Sequence, residues 1–303
     1  MFQPRLESVI CHHPEGQHRM AWWSWGDPQA DQVVVCVHGL TRQGRDFDRL
    51  ANALLERAGG RLHVVCPDVA GRGQSGWLPQ PALYQIPQYA ADMLALLAQL
   101  HSRVPLAQLD WVGTSMGGLI GMALAGQPAL PLPAPIRRLV LNDVGPSITW
   151  ASVQRMQQFV GRYGRYVDLA EAAAELRRLS LGFGPVPEDL WLEMSAHMLR
   201  RDPDGALTLH YDPAIGEPLR ALTPEAAQAA ETVVWGLYDQ IRAKVLLLRG
   251  QESDLLTEDT ARTMTLRGPQ AQLVQWPGVG HAPTLTDPAH TRVVADFLLA
   301  PAA

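Results

Sequence analysis

Ser115 stands in Gly113-Thr114-Ser115-Met116-Gly117-Gly118, between an apolar run, Leu109-Asp110-Trp111-Val112, and a helix-like run over 119–125. Strand, Gly-x-Ser-x-Gly, helix is the context in which such a pentapeptide works as a nucleophile elbow. Gly113 and Gly117 lack a Cβ, so neighbouring elements can crowd a tight turn there. That turn would lift the Ser115 hydroxyl clear of the sheet. It would also place the next backbone N–H at a helix N-terminus, where negative charge is favoured. A bare Gly-x-Ser-x-Gly is usually just a glycine-rich turn, and the two flanks are what give this one a chemical reading.

A serine hydroxyl is a poor nucleophile at neutral pH and needs an adjacent base, a role that suits histidine. Of the ten histidines, only His281 lies in a glycine-rich loop directly after a late strand-like run, 272–276, downstream of the elbow. A histidine base in turn needs a carboxylate to fix its tautomer. Asp254, in the loop after the apolar run 245–250, is the expected acid. Two others compete: Glu252 in the same loop, and Asp143 at the end of the run 137–143. The oxyanion that develops on attack needs preorganised donors, each worth about 3 kcal/mol. The backbone N–H groups of Met116 and Leu40 are the expected pair, Leu40 lying in the loop after the run 33–37. His38, beside that loop, is assigned a structural hydrogen bond, since it precedes the elbow.

These residues need a scaffold that brings loop ends together. Residues 6–13 and 18–25 read as an antiparallel hairpin. The runs 33–37, 62–66, 109–112, 137–143, 245–250 and 272–276 read as strands, most of them apolar enough to be buried on both faces. Helical patterns at 46–58, 87–101, 119–125, 257–267 and 288–299 alternate with them. That rhythm means an α/β fold: a mostly parallel eight-stranded sheet with helices on both faces. It stops after the sixth strand. Helical patterns occupy 150–163, 167–181 and 187–200, and no buried strand-like run appears between 145 and 231. The expected division is a core of 1–145 and 232–303, with a helical lid of 146–231 inserted at the carboxyl end of a strand, where ligands bind in such sheets. Beneath it, His38, Thr41, Arg42, Trp150, Trp191 and Met198 are the candidate pocket residues, with Met156, Phe159 and Met194 as further apolar candidates. For each apolar one taken singly, lid core is the competing explanation.

With 303 residues, 47% hydrophobic and 18% charged, the chain has the composition of an ordinary globular protein. A formal charge of −5 leaves no basic footprint for nucleic acid or for a membrane surface. The N-terminus lacks a signal-peptide pattern, and no stretch reaches the roughly 18 apolar residues of a membrane helix. Three cysteines, Cys11, Cys36 and Cys66, are sparse and odd in number, as expected of free thiols in a cytoplasmic protein. No cluster of metal ligands and no phosphate loop is evident in the sequence, so neither metal nor organic cofactor is expected.

In these motifs the chain resembles the α/β-hydrolase fold serine esterases: His38-Gly39 at the oxyanion loop, the elbow at Ser115, Asp254 after a late strand, and Gly280-His281. Asp68-Val69-Ala70-Gly71-Arg72-Gly73-Gln74-Ser75 resembles a further turn of that superfamily, which implies a tight loop near the site mouth with no catalytic role. The similarity covers about 1–145 and 232–300. Ser115 argues against epoxide hydrolases and dehalogenases, which carry aspartate there. His38-Gly39-Leu40-Thr41-Arg42 departs from the loops of proline iminopeptidases and ring-cleavage hydrolases. The resemblance therefore implies a cofactor-free hydrolase acting on a small-molecule ester through an acyl-enzyme. Gly39-Leu40-Thr41-Arg42, residues 141–146 and His210-Tyr211-Asp212-Pro213 are similar to bacterial esterases, some of which act on polyester oligomers. Lactonases, carbon–carbon hydrolases and receptors of the same fold are the alternatives.

Overall fold

The computed structural model describes residues 2–162 and 164–301. The chain opens with β1 (Arg5–His13) and β2 (Gly16–Gly26), paired antiparallel. Then come β3 (Gln32–Val37), α1 (Asp48–Arg57), β4 (His63–Pro67), α2 (Ile86–Arg103), β5 (Gln108–Thr114), α3 (Met116–Ala125) and β6 (Ile136–Asn142). An insert follows, made of α4 (Trp150–Phe159), β7 (Arg165–Tyr166), α5 (Leu169–Leu179), α6 (Glu188–His197), β8 (Leu199–Arg201), β9 (Leu207–Leu209) and α7 (Gly216–Ala221). Next come α8 (Pro224–Gln240), β10 (Lys244–Gly250), α9 (Glu258–Leu266), β11 (Gln272–Trp276) and α10 (Pro288–Leu298).

The main sheet has eight strands in the order β1-β2-β4-β3-β5-β6-β10-β11, antiparallel at β1/β2/β4 and parallel from β4 to β11. Strand side chains alternate between faces, so a fully apolar strand feeds two cores at once. In β3, Val33, Val35 and Val37 join Trp111, Met93 and Ile120 on one side. Val34 and Cys36 join Leu50, Leu54 and Leu298 on the other. The expected sheet and its helical layers are both present.

Two features differ from expectation. The insert contains a small antiparallel sheet, β7-β9-β8. Its strands are two or three residues long, too short to print a period-two pattern on the sequence. The expected boundary at 231/232 also falls inside a single continuous helix, α8. The C-terminal half of that helix packs beside α9: Tyr238 is fully buried, its hydroxyl donates to the Met264 carbonyl at 2.7 Å, and Asp239 pairs with Arg267. Tyr238 is the only buried residue of α8, so the helix offered little amphipathic signal.

The insert is fastened to the core at several points. The Gly73 N–H donates to His210 Nδ1 at 2.6 Å, the Asp212 N–H to the Gly71 carbonyl at 2.8 Å, and the Tyr84 hydroxyl to Asp212 Oδ2 at 2.6 Å. The Asp68–Ser75 turn is thus the seat on which His210-Tyr211-Asp212-Pro213 rests. No helix among the described residues is long and apolar enough to cross a membrane.

Candidate active site

Ser115 sits between β5 and α3 with φ 51° and ψ −116°, a left-handed conformation that costs energy for any residue with a Cβ. The surroundings hold it there. Its N–H donates to the Asn142 carbonyl at 3.0 Å, and its carbonyl accepts from Gly118 and Leu119 as α3 begins. The flanking glycines are required by contact. A Cβ at Gly117 would lie 2.0 Å from the Val37 carbonyl oxygen, and one at Gly113 would lie 2.3 Å from that of Gly117.

The Ser115 hydroxyl lies 3.0 Å from His281 Nε2, and His281 Nδ1 lies 2.7 Å from Asp143 Oδ2. With Nδ1–H donating to the carboxylate, the Nε2 lone pair faces the serine hydroxyl, the arrangement a general base needs. The carboxylate comes from Asp143, directly after β6, and its side chain is fully buried. Gly250 N–H donates to its Oδ1 at 2.9 Å, and the Ser253 hydroxyl donates to its Oδ2 at 2.6 Å. Asn142 Nδ2 bridges to Thr114 Oγ1 at 3.0 Å and to the Pro283 carbonyl at 2.8 Å, joining the elbow strand to the histidine loop.

The expected acid, Asp254, is elsewhere. It is about half exposed and makes two 2.9 Å hydrogen bonds to Arg155 of the insert. The physical reason is the turn after β10. Ser253 points inward to Asp143, so the next residue turns outward to solvent. Glu252, the other competitor in that loop, is exposed.

Met116 is the first residue of α3, so its N–H has no partner one helical turn back. Leu40 lines the cavity. Among the described residues neither amide meets an acceptor. Both residues are held from behind by Arg72, which is fully buried. It donates to the Leu40 carbonyl at 2.9 Å, to the Ala70 carbonyl at 2.6 Å and to the Tyr89 hydroxyl at 2.8 Å, and it contacts Met116 Sδ at 3.6 Å. Among the described residues it meets no carboxylate, so its charge is left to act on this loop. His38 is tied to the backbone through both ring nitrogens. Its Nε2 accepts from the Val69 N–H at 3.0 Å and its Nδ1 donates to the Gly39 carbonyl at 2.7 Å. Burial pushes its pKa down to about 3, so the ring is neutral.

A cavity of about 390 Å³ opens above Ser115 and His281. Of the candidate pocket residues, His38, Thr41, Arg42 and Met198 line it, and so do Met156, Phe159 and Met194. Trp150 and Trp191 do not. Trp191 is buried within the insert, donates Nε1 to the Ala173 carbonyl at 2.8 Å and packs edge-on against Phe183. Phe183, Tyr166 and Tyr211 line the cavity instead. Tyr211 lies inside the singled-out His210–Pro213 run, a signal that could have pointed to it. Tyr166 sits on a strand too short to read.

Two trios of metal-type side chains come together among the described residues: Cys11, His18 and Asp92, and Asp48, Glu193 and His197. No member lines the cavity. In the first, His18 is already bonded to Asp92 at 3.0 Å, and burial raises the Cys11 pKa and keeps the thiol protonated. Sequence reading missed this trio because its members lie on separate elements, β1, β2 and α2.

Residues 32–288 match the family model described as alpha/beta hydrolase fold. The chain is 45% identical to a 3-hydroxybutyrate-oligomer hydrolase of Cupriavidus necator, over 97% of each chain. It is 30% identical to Lipase LipV of Mycobacterium tuberculosis over 49% of this chain and 51% of that one. Among solved structures, an alpha/beta hydrolase from Novosphingobium aromaticivorans superposes with a TM-score of 0.78 at 32% identity, covering 98% of each chain.

Proposed function

The chain belongs to the alpha/beta hydrolase fold family, and we propose that within it this protein is a serine esterase that cleaves short 3-hydroxybutyrate oligomers. The observation that carries the mechanism is the hydrogen-bonded line Ser115–His281–Asp143, with contacts of 3.0 and 2.7 Å. Ser115 Oγ attacks the ester carbonyl while His281 Nε2 takes its proton. Asp143 steadies the resulting imidazolium. The Leu40 and Met116 N–H groups receive the oxyanion. As the tetrahedral intermediate collapses, the leaving alkoxide takes the proton from His281, and the acyl group stays on Ser115. Water, deprotonated by the same nitrogen, then releases the acid and restores the serine.

The substrate assignment draws on the Cupriavidus necator relative, which matches along nearly its whole length. The cavity is consistent with it. Methionine and phenylalanine side chains from the insert supply an apolar body, and the hydroxyls of Tyr166 and Tyr211 supply polar points suited to ester carbonyls. The three cysteines are free and buried, which fits a cytoplasmic setting.

The test is Ser115→Ala, assayed on the 3-hydroxybutyrate trimer by chromatography of products. Turnover should fall by about a millionfold, the scale of removing a nucleophile from such a unit, with the circular dichroism unchanged. Appreciable hydrolysis by a folded Ser115→Ala protein would refute the assignment.

A further inference from the structure

Four arginines line the cavity: Arg42, Arg155, Arg162 and Arg178. Three already have a carboxylate partner. Arg42 grips Asp46 at 2.6 Å, Arg155 grips Asp254 at 2.9 Å, and Arg178 grips Glu175 at 2.7 Å. Arg162, in the insert between α4 and β7, is different. Its backbone N–H caps Phe159, but among the described residues its guanidinium meets no carboxylate, carbonyl or aromatic ring. It is solvent-exposed at the cavity wall, in a protein whose formal charge is −5. Among the described residues, Arg162 is thus the one arginine of this wall without a carboxylate partner, and its guanidinium is placed to bind an anion.

Its surroundings define the rest of the occupant. Met156, Phe159 and Met198 require an apolar body. Tyr166, a few residues beyond Arg162, presents a hydroxyl that has no protein acceptor among the described residues. Tyr211 accepts from the Gly161 N–H at 3.4 Å, leaving its own proton to donate. A ligand matched to this wall has an apolar chain with carbonyl acceptors along it and a single anionic group. A linear hydroxyalkanoate oligomer has that constitution: ester carbonyls along the chain and one carboxylate, at one end only.

We propose that Arg162 binds the terminal carboxylate of the oligomer, so that the enzyme selects linear, free-acid chains over capped or cyclic esters. This rests on the oligomer-hydrolase reading of the site. A guanidinium is suited to the task because its planar donors match a carboxylate in pairs. The neighbouring arginines, each held by its own acid, keep the rest of the wall electrically balanced and leave the anion one docking point.

The experiment compares the free-acid 3-hydroxybutyrate trimer with its methyl ester, in the natural protein, Arg162→Gln and Arg162→Lys. The natural protein should favour the free acid in kcat/KM by about tenfold, the scale of one charge-assisted contact. Arg162→Gln should bring that ratio close to one, chiefly through KM, and Arg162→Lys should keep part of it. Added salt should lower the ratio in the natural protein, because the contact is exposed. A ratio near one in the natural protein, or one that survives in folded Arg162→Gln, overturns the proposal. If neither trimer is cleaved, the oligomer reading has failed, and the anion site is read from competition. Stronger inhibition of p-nitrophenyl butyrate hydrolysis by the free acid than by its methyl ester, lost in Arg162→Gln, sustains the anion site. Equal inhibition by the two sinks it.

Discussion

The Ser253 hydroxyl lies 2.6 Å from Asp143 Oδ2, the same oxygen that accepts from His281 Nδ1 at 2.7 Å. Ser253 also accepts from the Leu255 and Leu256 N–H groups, at 3.3 and 3.1 Å, so its proton is directed at the carboxylate. One loop after β10 thereby fixes the acid of the neighbouring strand. Ser253→Ala should lower kcat/KM by about tenfold, since a buried acceptor loses one hydroxyl donor but keeps the Gly250 N–H and His281. Steady-state kinetics on an activated butyrate ester checks this, and an unchanged rate would deny Ser253 a positioning role.

Arg72 touches both residues whose amides are assigned to the oxyanion. Arg72→Met should reduce kcat by about ten- to a hundredfold while KM moves little, because oxyanion donors act in the transition state. Arg72→Lys should recover part of kcat. A purely structural role would show instead as a lower melting temperature with kcat per folded molecule unchanged.

Stability should be sensitive to acid. Burial lowers His38 to about 3 and His63 to about 4, from an ordinary 6.5, and lowers His210 well below it. Below pH 6.5 the unfolded chain binds these protons and the folded one does not. Their contribution is therefore complete above pH 6.5 and is lost as pH falls toward 4 and below, at up to about 1.4 kcal/mol per pH unit for each histidine. Asp68 works the other way. Burial raises it from 3.8 to about 6, so between those values the folded chain holds a proton that the unfolded chain has released, and stability from this group falls as pH rises. Three histidines outweigh one aspartate. Urea midpoints should drop from pH 7 to pH 5. His63→Gln should flatten the slope by about one proton, because His63 Nε2 has no partner to lose among the described residues.

The pairing of Ser115 with His281, 3.0 Å apart, was legible because each is announced by its own short stretch: an elbow between strand and helix, and Gly280-His281 after a late strand. The acid was not, for a geometric reason. β6 and β10 are adjacent and parallel, with Asn142 opposite Leu248, so Asp143 and the loop carrying Asp254 leave the same edge of the sheet side by side. Sequence order places both carboxylates near His281. The choice between them is made by which way the turn 250–254 faces, and Ser253, not Asp254, turns inward. The core sheet was legible because strands buried on both faces are continuous apolar runs. The insert's small sheet and its pocket were less so, since Trp191 serves the insert's own core while Tyr166 and Phe183 reach the cavity, and side-chain type alone does not separate those roles.

The most direct test of the account is the pair Asp143→Asn and Asp254→Asn, compared by kcat/KM on p-nitrophenyl butyrate. Asp143→Asn should lose about a thousand- to ten-thousandfold, the cost of leaving the histidine in the wrong tautomer. Asp254→Asn gives up only an exposed ion pair with Arg155 and should stay within about threefold. The reverse ranking, or an Asp143→Asn enzyme that keeps more than about a tenth of its activity, would contradict the assignment of Asp143 as the partner of His281.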